Sequence, residues 1–224
     1  MEETVAIVCG RRVEQIGAAG LQELIRQYDA IVVDLGTGDG RWLYRRARSQ
    51  PSVLCLGIDA NAAALRDVSY RATRKPARGG LANVRFIAAG AQSLPGALRA
   101  VADEVWVAYP WGSLLGAVLG PEPSILRRVA GLLKPRGLIR VAMNESVLAQ
   151  GAVLRRMGLM PRPAQDLYAA MRAGYNEAGL TVTRWRFGGA WIRSSWAGRL
   201  GQGAGVRTLW VEAVKDGDGC DHGG

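Results

Sequence analysis

Histidine is all but missing from this sequence: the one copy, His222, lies in a terminal run of glycine, aspartate and cysteine. Imidazole acid–base catalysis from within a folded core is thereby excluded. Cysteine is nearly as scarce. Cys9, Cys55 and Cys220 lack metal-ligand or redox spacing, which removes zinc ribbons and dithiol enzymes and suits a reducing cytoplasm. No metal site is expected. No apolar run is long enough for a bilayer, because "VWVAYPWGSLLGAVLG" is broken by Pro110 and several glycines. The opening "MEETVAIVCG" is acidic and has no extended apolar centre, so no signal peptide is expected. Acidic residues are in deficit: 19 Asp and Glu face 29 Lys and Arg, a net charge of +10. Such a surface attracts polyanions, nucleic acid above all, although a solvated basic face has the same composition.

What is present is an alternation of short apolar runs and amphipathic stretches. The 224 residues suffice for one domain with a buried core, expected over 1–215. Residues 216–224 are polar and glycine-rich and are expected to be disordered. Val5–Cys9 and Val13–Ile16 flank a Gly-Arg-Arg turn and predict a hairpin. Strands are expected over Ile31–Leu35, Val53–Ile58, Val84–Ala88, Glu104–Ala108, Leu138–Met143, Leu180–Phe187 and Val206–Val214. Helices are expected over Arg41–Ser49, Asn61–Ala72, Ser124–Leu133 and Gln165–Ala178, the third stopped by "KPRG". This order predicts an α/β fold, a mostly parallel sheet covered on both faces.

"VVDLGTGDGRWLY" carries the first chemistry. Gly36, Gly38 and Gly40 lie between a strand and a helix, where missing side chains let a ligand approach the backbone. The spacing is GxGxG and not GxGxxG, and Asp34 and Asp39 would repel a pyrophosphate. Two acids suit a ligand with positive charge, such as the sulfonium and ammonium of S-adenosylmethionine. Asp59 closes the next strand, where a carboxylate can take both ribose hydroxyls of an adenosine.

"AYPWGSLL" ends a core strand, and carboxyl ends of strands line the ligand crevice of such sheets. Trp111 therefore points at the methyl donor, unless it is packed core. Trp196, in "RSSWAGRL", is either a second jaw or a loop anchor. Two tryptophans can stack on both faces of an extruded base. Adenine N-1 keeps an in-plane lone pair at neutral pH, so it attacks a sulfonium methyl without prior deprotonation. The cationic product favours aromatic faces. An enzyme of this kind works by positioning and needs no histidine. "RDVSYRATRKPARGGLAN" supplies phosphate-binding cations near the crevice, and "LRRMGLMPRP" is a second basic insert.

The stretches "DLGTGDGRWLY", "GIDANAAAL", "RKPARGGLANVRFIAA", "AQSLP", "YPWGSLL" and "SSWAGRL" together resemble a known family. These are the aminoglycoside-resistance methyltransferases of KamB and NpmA type, which methylate N-1 of a decoding-site adenine in small-subunit ribosomal RNA. The resemblance implies a class I, Rossmann-like methyltransferase fold with a seven-stranded sheet, here preceded by a short N-terminal hairpin. It implies S-adenosylmethionine as cofactor and the assembled 30S subunit as partner of a cytoplasmic, monomeric enzyme. Asp34, Gly36, Gly38, Asp59, Ala60, Ala91, Gln92, Ser113 and Ser194 fall at cofactor-contacting positions. Trp111 and Trp196 match the pair that clasps the target adenine. Arg71, Arg74, Lys75, Arg78, Arg155, Arg156, Arg199 and Arg207 fall in or beside RNA-docking inserts near 66–83, 145–163 and 188–205. The family commonly has Glu where Gln92 stands, and more basic residues after Arg199. Two alternatives differ in chemistry: a transfer-RNA guanine N-7 methyltransferase, and a non-catalytic ribosome-binding protein of this fold.

Overall fold

The computed structural model describes residues 3–119, 123–145, 151, 155, 164–188 and 207–217. The expected hairpin is β1 (Thr4–Cys9) and β2 (Arg12–Gly17), closed with Cys9 opposite Arg12. It does not stand apart. Ile7 of β1 pairs antiparallel with Ile87 of β5 (Val84–Ala88), so hairpin and core strands form one nine-stranded sheet.

Helix α1 (Ala18–Ile25) leads into β3 (Ala30–Leu35), α2 (Arg41–Ser49), β4 (Val53–Asp59), α3 (Arg66–Ala72) and β5. Then follow β6 (Ala102–Ala108), α4 (Gly112–Val118), α5 (Pro123–Leu132), β7 (Leu133–Asn144), α6 (Ala164–Glu177), β8 (Leu180–Gly188) and β9 (Thr208–Lys215). The strand order is β2-β1-β5-β4-β3-β6-β7-β9-β8. Strands β5, β4, β3, β6 and β7 run parallel, and β9 slots in antiparallel between β7 and β8. Alternation along β3 sends Ile31, Val33 and Leu35 to one face and Val32 to the other. The first face packs on Leu126 and Val129 of α5 and Met171 and Tyr175 of α6, the second on Leu43, Tyr44 and Val68 of α2 and α3. Each fully buried aliphatic side chain contributes about 1.5–3 kcal/mol.

Two expectations shift. Helix α3 starts at Arg66 and not at Asn61, because side chains divert the backbone before it. Asn61 N–H donates to Asp59 Oδ1 at 2.8 Å, and Ala63 N–H donates to Asn61 Oδ1 at 3.1 Å. Helix α5 stops before "KPRG" as expected, but β7 starts at Leu133 and not at Leu138, so the segment lies inside the strand. There Arg136 adopts φ +63°, and the sheet register shifts between Ala102 opposite Leu133 and Glu104 opposite Leu138.

Candidate functional site

Strand β3 has β4 on one side and β6 on the other, so the strand order reverses around it. Ligands of open α/β sheets bind outside the carboxyl ends at such a point. A cavity of about 310 Å³ lies there, and its walls include Asp34, Gly36, Gly38, Asp59, Ala60, Ala91, Gln92, Ser113 and Trp111. The structure thus brings together every expected cofactor and base-stacking residue among the described residues. Ser194 and Trp196 lie outside the described residues, as do Arg156, Arg199 and the terminal segment 218–224.

The glycine turn is a formed cradle. Gly36, Gly38 and Gly40 have φ of +75°, +61° and +65°, where a Cβ is strained. At Gly40 a Cβ would also stand 2.4 Å from the Phe86 ring. Gly36 and Thr37 donate their N–H groups to Ile58 O at 2.8 and 3.1 Å, which ties the turn to β4. Asp59 completes the tie: its Oδ2 accepts from Gly38 N–H at 2.8 Å, and its Oδ1 accepts from Asn61. Each carboxylate oxygen keeps a lone pair for a hydroxyl in the cavity.

Asp34 is buried, and its Oδ2 accepts from the Thr37 hydroxyl while its Oδ1 has no partner. Burial pushes its carboxyl up to about 7, the Thr37 bond opposes this, and Asp59 adds to it. A buried, orphaned carboxylate oxygen in the cavity wall fits a cationic ligand group. The opposite wall is closed by Gln92, whose amide donates to the Ser113 hydroxyl.

Trp111 caps α4 and is 44% exposed, which sets aside the packed-core reading. Its presentation has a mechanical cause. Tyr109 holds φ +50° and Gly112 φ +56° on either side of Pro110-Trp111. Tyr109 N–H donates to Ala142 O at 2.7 Å, and the Tyr109 hydroxyl meets Thr208 Oγ1 of β9 at 3.2 Å. The turn is therefore bolted to two strands while Trp111, partly exposed, lines the cavity.

The sequence reading missed Trp42. It lines the same cavity from the first turn of α2 and packs on Trp106 with ring centroids 5.1 Å apart. Its only signal was its place two residues after Gly40, which in a sequence looks the same as a core aromatic.

Of the docking residues, Arg71, Arg74, Lys75 and Arg78 are exposed along α3 and the loop after it, as is Arg155. Arg207 pairs with Glu145 at 3.5 Å and lies 4.8 Å over the Phe187 ring, beside the carboxyl end of β7. No group of His, Cys, Asp and Glu side chains among the described residues has a metal-binding arrangement, and no helix there is long and apolar enough to cross a membrane.

The family model NpmA, described as 16S rRNA (adenine(1408)-N(1))-methyltransferase, matches residues 6–215. A 16S rRNA (adenine(1408)-N(1))-methyltransferase from Streptoalloteichus tenebrarius is 37% identical over 198 residues, 86% of this chain and 90% of that one. The crystal structure of the aminoglycoside resistance methyltransferase NpmB1 superposes with a TM-score of 0.81 at 37% identity, covering 94% of this chain and all of that one (100%). A tryptophan-to-alanine mutant of the Catenulisporales acidiphilia 16S rRNA (adenine(1408)-N(1))-methyltransferase, with cosubstrate SAM, gives a TM-score of 0.87 at 28% identity over 96% of this chain and 98% of that one.

Proposed function

The chain belongs to the 16S rRNA (adenine(1408)-N(1))-methyltransferase family, and from that premise we propose how its residues carry the reaction. It is an S-adenosylmethionine-dependent enzyme that methylates adenine N-1 in 16S ribosomal RNA, a change that confers aminoglycoside resistance. The observation that carries the assignment of roles is the single cavity that unites the glycine turn, Asp34, Asp59 and Trp111.

Asp59 holds the ribose hydroxyls and the turn together. Ala60, Ala91, Gln92 and Ser113 enclose the adenine end, with Ser194 completing the set. Gly36 and Gly38 admit the cofactor to the backbone, and Asp34 meets its positive charge. When bound, the cofactor supplies an electrophilic sulfonium methyl. The nucleophile needs no base, since adenine N-1 presents a lone pair at neutral pH. Trp111 stacks on the extruded adenine and Trp196 closes on its other face; the aromatic faces then favour the cationic product. Catalysis is positioning, which is why the chain dispenses with histidine.

Arg71, Arg74, Lys75, Arg78, Arg155, Arg156, Arg199 and Arg207 contact phosphates and set register. They come from segments far apart in sequence, an arrangement suited to a folded RNA surface. We therefore take the substrate to be the assembled 30S subunit, met in the cytoplasm by a monomeric enzyme. The test is incubation with purified small subunits and labelled cofactor, followed by primer extension. A stop at the decoding-site adenine is expected, because methyl on N-1 blocks reverse transcriptase. Label on transfer RNA guanine, or binding without transfer, would overturn the reading.

A further inference from the structure

The basic loop between α3 and β5 is built before any RNA arrives. Its backbone satisfies itself: Arg78 N–H donates to Lys75 O at 2.8 Å, Gly79 to Pro76 O at 3.0 Å, Gly80 to Lys75 O at 3.1 Å and Leu81 to Ala72 O at 2.9 Å. The loop closes so tightly that a Cβ at Gly80 would lie 1.6 Å from Arg74 O. The Leu81 bond ties the loop to α3, and at its far end Tyr28 donates to Ala82 O and the Asn83 amide donates to the carbonyls of Ala47, Gln50 and Val53, each at 2.9 Å. Tyr44 holds the middle of the loop. Its hydroxyl donates to Gly79 O, and the Arg71 guanidinium lies 4.9 Å over its ring. Gly79 has φ +87°, and a Cβ there would meet the Tyr44 hydroxyl at 2.9 Å.

Tyr44 belongs to the other site's scaffold. It stands one turn into α2, its N–H donating at 2.9 Å to the carbonyl of Gly40, the last residue of the cofactor turn. The side chain is 5% exposed and does not line the cofactor cavity. One buried aromatic thus holds a carbonyl of the basic loop and a cation of the last turn of α3, from a helix whose first residue follows the cofactor cradle.

We propose that Tyr44 is a positioning residue that preorganises the RNA-docking loop relative to the cofactor cradle. The proposal rests on the reading of Arg71 to Arg78 as a phosphate-binding segment. A loop already in its bound form costs less entropy to dock. Once docked, phosphates hold the loop in place, so Tyr44 acts on affinity for RNA and not on the methyl-transfer step.

Tyr44→Phe removes only the hydroxyl and keeps the packed ring. We expect KM for small subunits to rise about three- to tenfold, the scale of one lost hydrogen bond. kcat and KM for cofactor should stay at wild-type values, and the melting temperature should fall only by the few degrees that one hydrogen bond is worth. Arg74→Glu with Lys75→Glu is the parallel variant, made alone and combined with Tyr44→Phe. In that background the effect of Tyr44→Phe should vanish, because the loop no longer binds. An unchanged KM for subunits in Tyr44→Phe overturns the proposal, as does an equal rise in KM for cofactor or a fall in kcat. If the charge-reversed pair itself keeps wild-type KM, the docking reading fails; if the pair loses affinity and Tyr44→Phe does not, only the role of Tyr44 fails.

Discussion

Gln92 and Ser113 are hydrogen bonded to each other across the cofactor cavity, amide to hydroxyl. One follows β5 and the other lies in the first turn of α4, so this bond joins two segments of the cavity wall, the part proposed to enclose the cofactor's adenine. Gln92→Ala should lower affinity for cofactor and for its demethylated product alike, by roughly three- to tenfold, one net hydrogen bond. Gln92→Glu adds negative charge to a cavity that already holds Asp34, Asp39 and Asp59. It should favour the sulfonium cofactor over the uncharged thioether product. Calorimetry with both ligands checks this; an unchanged ratio would remove charge from the account.

Asp59 does two jobs, and its mutation should show both. Its oxygens hold Gly38 and Asn61 in addition to facing the cavity. Asp59→Ala is expected to weaken cofactor binding by about 1.5–3 kcal/mol per lost charge-assisted bond and also to lower the melting temperature. Loss of binding with no loss of stability would show that the turn holds without it.

If Asp34 meets the cofactor's positive charge as proposed, cofactor binding should be a proton-coupled event. Burial raises its carboxyl from 3.8 to about 7, so between those values the folded chain keeps a proton that the unfolded chain has lost. Its contribution to stability is full below pH 3.8 and is lost as pH rises through about 7. A cationic ligand favours the ionised form, so binding at pH 6 should release a proton and affinity should climb between pH 6 and 8. Calorimetry in buffers of different ionisation heat measures the release. Asp34→Asn should bind without it; wild type doing the same would refute the coupling.

Charge reversal at Arg74 and Lys75 should weaken subunit binding and flatten its salt dependence. Each lost phosphate contact lowers the slope of log affinity against log salt by roughly 0.7–0.9. Competitive filter binding at several salt concentrations gives the slope. A slope equal to wild type would make these residues a solvated surface.

Trp111→Ala and Trp196→Ala should each reduce methyl transfer far more than subunit binding, since stacking on one base is worth about 1–3 kcal/mol. Phenylalanine at either position should retain part of the activity. Wild-type methylation by Trp196→Ala would leave Trp111 as the only stacking residue.

The sequence was most legible where one physical signal dominated. Arg41–Ser49 and Val84–Ala88 have the bounds that periodicity predicts, since helix α2 and strand β5 each have a distinct period and clear breakers. The cavity walls were legible because an acid, a glycine turn and a second acid follow strand ends in a fixed order. Reading failed where tertiary contacts overruled local signals. Proline and glycine in "KPRG" rightly mark the end of α5, but they hide the start of β7, because pairing with β6 draws Leu133 into the sheet five residues before the expected Leu138. Trp42 and Tyr44 are helix-face aromatics, and nothing in a one-dimensional pattern separates a cavity wall or a loop anchor from core. Tyr70, exposed at 63% amid the arginines of α3, gave no signal that distinguished it from buried neighbours.

Strand β9 enters the sheet last in the chain but lies between β7 and β8 in space. As the polypeptide is synthesised, β7 can pair with β6 at once, but β8 emerges before the strand it pairs with, Thr208–Lys215. Closure of this edge of the sheet therefore waits for β9, a pairing of non-local strands. The same strand carries Thr208, which meets the Tyr109 hydroxyl beneath the Trp111 turn. The turn that presents Trp111 consequently gains this support only once β9 has entered the sheet.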